Sequence, residues 1–87
     1  PNPVRLSQDL KLVLSVQGAG TTPAEVFFVN TSLEMVYSRQ YPVRQVFGNT
    51  YVDVPTADLL GRISTGIYFV VVRCGDNEFK WKVAIIR

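Results

Sequence analysis

Histidine is absent from this 87-residue chain, and cysteine, tryptophan and methionine occur once each. Neither sign of charge prevails, with nine basic residues against seven acidic ones and a net charge of +2. Each scarcity removes a class of function. Without His there is no Ser-His or Cys-His nucleophilic pair and no imidazole metal ligand. Cys74 alone cannot close an internal disulfide, and its place in a Val-rich alternating run predicts a buried small hydrophobe. The basic residues are scattered from Arg5 to Arg87 with no block among them, which is not the pattern of a nucleic-acid surface. The longest apolar run, Ile67 to Val72, falls far short of the roughly 20 residues a spanning helix needs, so no membrane insertion is expected.

The carboxylates Asp9, Glu25, Glu34, Asp53, Asp58, Asp76 and Glu78 have no spacing that brings two of them together. Asp76 and Asn77 are accounted for by turn chemistry, and with Glu78 they lack the alternating oxygen ligands of a calcium loop. We therefore expect no enzyme, no catalytic residue, no cofactor and no metal.

What is present is a folded module. Hydrophobic residues make up 47% of the chain, and its length suffices for one small core and not for two. The chain opens on Pro1 with no initiator Met or signal-like segment, which reads as a piece cut from a longer protein.

Apolar residues recur with period two, the mark of half-buried strands. In Leu10 to Val16, Leu10, Leu12, Leu14 and Val16 share one side, with Val13 the exception on the other. Ala24, Val26 and Phe28 alternate with Glu25, Phe27 and Val29, so both faces are apolar enough for a central strand. A turn at Asn30 to Leu33 leads into Glu34 to Tyr41, where Met35, Tyr37 and Arg39 alternate with Val36, Ser38 and Gln40, making a hairpin. Pro42 to Asn49 is irregular and ends in a turn at Phe47 to Asn49 before a short strand, Thr50 to Val54. In Pro55 to Thr65, Thr56 is a candidate helix N-cap, but Gly61 and the β-branched residues after it favour a loop. Gly66 to Arg73 and Glu78 to Arg87 then pair across Cys74-Gly75-Asp76-Asn77 as a terminal hairpin.

About seven short strands without a long helix predict an all-β fold, an antiparallel immunoglobulin-like β-sandwich. No Cys-Trp-Cys spacing is present, so the likeness is one of architecture. In the last strand Phe79, Trp81, Val83 and Ile85 point one way and Lys80, Lys82, Ala84 and Ile86 the other, and in its partner Tyr68, Val70, Val72 and Cys74 oppose Ile67, Phe69, Val71 and Arg73. Burying each large apolar side chain is worth roughly 1.5–3 kcal/mol against a net stability of about 5–15 kcal/mol, so Val83 and Ile85 are structurally indispensable.

Four stretches together resemble the C-terminal sorting domain of the type IX (Por) secretion system of Bacteroidetes. Pro1-Asn2-Pro3-Val4 is similar to its opening motif, and Phe28 to Val36 to its second motif, a strand ending in Asn that turns tightly into the next. Gly66-Ile67-Tyr68-Phe69-Val70 resembles its Gly-Ile-Tyr strand, and Lys80 to Arg87 its closing basic and apolar strand. The chain departs at Leu33, near where the family's turn usually has Gly, and at Leu60 to Thr65, where the family has a Leu-Pro-Ala-like lead.

The resemblance implies an address on a larger secreted protein, recognised by the type IX translocon and by outer-membrane shuttle or sortase components. It implies transit through the periplasm and an end point at the cell surface or outside the cell, with removal by a sortase in many family members. Signal recognition then falls to Gly66 and Tyr68, which shape the hairpin, with Val83 and Ile85, and to Lys80, Lys82 and Arg87, which supply a charged face. Lys80 and Lys82 equally fit plain solvation of an outer face, a common guard against edge aggregation. The alternative is a carbohydrate-binding accessory module with Tyr37, Tyr41, Phe47, Tyr51 and Trp81 as a stacking platform. Against it stands the simpler expectation that Phe and Trp fill the core while Tyr sits at its rim.

Overall fold

Alternation of apolar and polar side chains builds eight strands and one turn of helix in the computed structural model, which describes residues 2–18 and 22–87. The strands are β1 (Val4–Arg5), β2 (Lys11–Ser15), β3 (Ala24–Asn30), β4 (Met35–Tyr41), β5 (Val43–Val46), β6 (Asn49–Pro55), β7 (Gly66–Cys74) and β8 (Asn77–Ile86). The helical turn α1 (Thr56–Leu59) follows β6. Five strands form one sheet in the order β1-β8-β7-β3-β4, and three form the other in the order β2-β6-β5. This is an all-β, immunoglobulin-like sandwich. The small sheet holds the places of strands B, E and D, and β8, β7, β3 and β4 hold those of G, F, C and C′.

The inner faces carry the residues that the alternation assigns to them. Leu12, Leu14, Val16, Val52 and Val54 from the small sheet meet Val26, Phe28, Val70, Val72, Val83 and Ile85 from the large one, all buried. Cys74 is buried as well. Val4 and Leu6 close one side, and Leu59 and Ile63 reach in from the connection between β6 and β7. As its two apolar faces require, β3 is central, with β7 on one side and β4 on the other.

Several details differ from the reading by alternation. The large sheet is not wholly antiparallel, because β1 runs parallel to β8, with Val4 opposite Ile85 and Arg5 opposite Ile86. The irregular stretch after Pro42 is a strand, β5, whose side chains are largely exposed because it lies at the edge of the small sheet. Leu10 is 88% exposed. The chain bends there before β2 begins, so its side chain leaves the inner row. Between β3 and β4, Phe28 faces Tyr37 but Val29 faces Met35, so Val36 is an extra residue in a bulge. A bulge inverts the side-chain alternation beyond it, and Met35 therefore lies opposite Tyr37's face. Thr56 caps nothing: its hydroxyl donates to the carbonyls of Asp9 and Leu10, and the cap position belongs to Pro55.

The aromatic residues follow the expected distribution only in part, with Phe79 and Trp81 packed against the core. Phe28 is in the core, but Phe47 is 100% exposed, while Tyr37, Tyr41 and Tyr68 are buried. The tyrosines go inside because each hydroxyl has a partner. Tyr41 donates to Asp58 Oδ2 at 2.9 Å, so Tyr37, 2.7 Å away, must donate to Tyr41. Burial, then these hydrogen bonds, push the Tyr41 phenol well above its usual range. Phe47 stays outside because it forms, with Gly48, a two-residue hairpin turn with φ of 48° and 81°, and the tip of such a turn points into solvent.

Asn30 organises the β3–β4 turn. Its Oδ1 accepts the N–H groups of Ser32 (3.0 Å) and Glu34 (2.9 Å), and its carbonyl accepts that of Leu33 (3.0 Å). Leu33 takes the left-handed conformation, φ 63°, that a glycine would adopt freely. A side chain there costs about 1–2 kcal/mol, partly offset by the greater freedom of an unfolded glycine. Leu33→Gly should therefore stabilise the domain by roughly 0.5–1 kcal/mol, seen as a higher urea midpoint at unchanged slope.

On the outer face of the small sheet Arg44 grips Asp53 with two bonds, Nε to Oδ2 at 2.7 Å and Nη2 to Oδ1 at 3.0 Å, and Lys11 stands 3.7 Å off. The Arg44 hydrogen bond holds the Asp53 carboxyl below its usual pKa of 3.8. A depressed folded pKa contributes stability that is complete above that usual value and is lost as pH falls through the lower folded one. The pair is solvent-screened, so its share is at most about 1 kcal/mol. Asp53→Asn should be less stable than the wild type at pH 6, and the two denaturation midpoints should converge in the acid range below pH 3.8.

Candidate functional site: the terminal hairpin and its outer face

The hairpin of β7 and β8 turns through Gly75-Asp76, with Gly75 at φ 60° and Cys74 opposite Asn77. Its register sets Gly66 against Ile85 and Tyr68 against Val83. Tyr68 donates its hydroxyl proton to the carbonyl of Ser64 at 2.8 Å, tying the start of β7 to the loop before it. Its ring lies edge-on to Phe28 at 6.5 Å between centroids. Gly66 lies under this ring, yet a Cβ there would meet it at an ordinary 3.6 Å, so packing does not force the glycine.

The residues expected to carry recognition fall into two sets. Tyr68, Val83 and Ile85 are buried and can act on a partner only through the shape they give the hairpin. Lys80, Lys82 and Arg87 are exposed, and the Arg87 N–H donates to Thr65 Oγ1 at 3.1 Å. The opening motif meets the closing strand. Asn2 Oδ1 accepts the Ala84 N–H at 3.0 Å, Leu6 N–H donates to the Ile86 carbonyl at 2.8 Å, and Pro3 is exposed. Pro1 lies outside the described residues. These two bonds fix the parity of β8: its even-numbered residues direct their backbone groups away from β7. Because β1 pairs only with Ile85 and Ile86, the edge from Glu78 to Lys82 is left without a strand neighbour among the described residues. Lysines along such an edge discourage further pairing.

The five aromatic residues of the carbohydrate alternative do not share a face. Tyr37 and Tyr41 are inside, Trp81 packs with Phe79 against the core, Phe47 tips the β5–β6 turn, and Tyr51 lies under Arg44 on the small sheet. Burial pushes the Cys74 thiol up, which keeps it protonated and unreactive. Among the described residues no three His, Cys, Asp or Glu side chains gather in one place, and no helix is long and apolar enough to cross a membrane.

Reasoning from alternation alone missed the outer face of the large sheet. The paired registers set three rungs across it: Met35, Val29, Phe69 and Lys82; then Ser38, Phe27, Val71 and Lys80; then Gln40, Glu25, Arg73 and Glu78. The first two rungs make an apolar band ending in lysines on β8. Two adjoining open depressions of about 340 Å³ each lie on it and share Val29, Val71 and Lys80. A signal was present: β3 and β7 carry apolar residues at both parities, more than a two-layer sandwich can bury.

Tyr68→Phe keeps the ring and removes the bond to Ser64, leaving that carbonyl to find another donor. It should cost about 1 kcal/mol in denaturant titrations, with the amide of residue 66 losing protection from hydrogen exchange before those of β3.

Comparison of the chain with family models, with curated proteins and with solved structures finds no match to any of them.

Proposed function

We propose that this chain is a folded sorting signal, the address by which a larger secreted protein is taken across the outer membrane by the type IX secretion machinery. The observation that carries the reading is the meeting of the residues that resemble the family's motifs: Asn2 is bonded to Ala84, Val4 is paired with Ile85, and Gly66 and Tyr68 face Ile85 and Val83. Stretches far apart in the chain thus converge on the closing strand. A receptor that gripped this corner would test at once that the domain is complete and folded. In this reading the buried residues set the shape, Lys80, Lys82 and Arg87 are offered to the translocon or shuttle, and removal by a sortase with surface anchoring is a later step. A folded signal of this kind needs no catalytic group and no cofactor.

The test is a fusion of residues 1–87 behind a periplasmic reporter in a host that has this secretion system. The intact fusion should reach the medium or the cell surface, and deletion of Val83 to Arg87 should hold it in the periplasm. Lys80→Glu with Lys82→Glu changes exposed side chains only, so this variant should fold, by circular dichroism, and still lose most export. Periplasmic retention of the intact fusion, or equal export of the deletion, would sink the proposal.

A further inference from the structure

Two features of the fold present apolar side chains on the outer face of the large sheet at a cost to stability. The bulge at Val36 turns Met35 out beside Val29, where it is 59% exposed. Leu33, 78% exposed, sits in a left-handed conformation that glycine would fill more cheaply, and it lines one of the two depressions. Bulges commonly re-aim a side chain, and strain maintained on a surface points to a use other than folding. With Phe27, Phe69 and Val71 these residues form a contiguous apolar patch, the usual mark of an interaction surface.

The charges beside the patch indicate what would cover it. On this face Arg73 is paired with Glu78 at 3.8 Å and lies over the Phe27 ring. The other ion pairs among the described residues are Lys11 with Asp53, Arg39 with Asp58 and Arg44 with Asp53. Lys80 and Lys82 take part in none, although they end the two rungs that hold the apolar band. The β8 side of the apolar band therefore carries two lysines outside these ion pairs, while Glu25, also outside them, stands on the next rung two strands away. Both depressions are open to solvent and neither encloses an acyl chain, which favours a polypeptide over a lipid.

We propose that the outer face of the five-stranded sheet binds a polypeptide segment of a partner protein whose aliphatic or aromatic side chains cover Val29, Phe69 and Val71 while its carboxylates pair with Lys80 and Lys82. The inference is drawn from the sheet itself and shares only Lys80 and Lys82 with the export reading, so the two can fail separately: peptide binding without export keeps this surface, and export without peptide binding removes it.

Selection of random displayed 12-residue peptides on the intact 87-residue chain tests it. Enriched peptides should combine apolar residues with Asp or Glu, and should perturb the amide resonances of residues 27–29, 69–71 and 80–82. Their affinity should fall about tenfold or more on Lys80→Glu with Lys82→Glu, and exchanging their acids for lysine should restore binding to that variant, as expected of complementary charge. Leu33→Gly separates binding from folding, since it should raise stability while weakening the peptides about threefold or more. Enrichment of peptides without acids, perturbations confined to another face, or affinities unchanged in the charge-reversed variant would overturn the proposal. So would binding of anionic detergent micelles but of no peptide, or self-association of the chain that Met35→Ser abolishes.

Discussion

The last strand of this domain is held from two directions, and the rest of the sandwich is arranged around that constraint. Along its length β8 pairs with β7, and at its end it is clasped by β1, whose parallel pairing sets Val4 against Ile85. The same residues fill the core, so the pairing that closes the sheet and the burial that stabilises it are inseparable. Asn2 adds a side-chain bond where the strand ladder ends, at Ala84. A domain built this way gains its final stability only when both ends of the chain are in place. That property suits the proposed role as a signal read only on a folded domain.

The two sheets are unequal, and the inequality has consequences at both edges. Three strands cannot cover the inner face of five. At the β4 edge the gap is closed by polar means: Tyr37, Tyr41 and Asp58 form a hydrogen-bonded chain from strand to helical turn, and Arg39 reaches the same carboxylate at 3.4 Å. These groups are affordable in the interior only because each has a partner, and no buried side-chain polar atom among the described residues is left without one. At the other edge the short β1 leaves most of β8 uncovered, and lysines occupy the outer positions there. The lysines thus have a defensive use that does not conflict with a role in recognition, since an edge that repels random strands can still accept a partner of opposite charge.

Much of the inner surface could be read by counting. Leu12, Leu14 and Val16, the odd-numbered outward residues of β7, and the burial of Cys74 all follow from a period of two, because adjacent side chains on a strand leave on opposite faces. The errors arose where the period breaks. Alternation places Met35 on Tyr37's side because no local feature marks Val36 as an extra residue, and the register shift between Phe28 and Val29 appears only in the pairing of the two strands. Leu10 and β5 escape such counting because a bend carries Leu10 out of the inner row and an edge position leaves β5 exposed. Of the residues proposed for recognition, alternation separates the lysines from Val83 and Ile85, but it cannot reveal that Asn2 touches Ala84 from the other end of the described residues.

By itself the sequence determined an all-β domain without histidine chemistry, with strands whose inner rows are dictated by hydrophobic burial and turns dictated by Gly, Asn and Asp. These are local properties, since propensity and alternation act over a few residues. Only the tertiary structure decided which apolar rows became core and which became surface. Phe27, Val29, Phe69 and Val71 are as hydrophobic as the residues they alternate with, but a two-layer sandwich has one interior, and the side of each sheet that meets the other is set by pairings between strands distant in the chain.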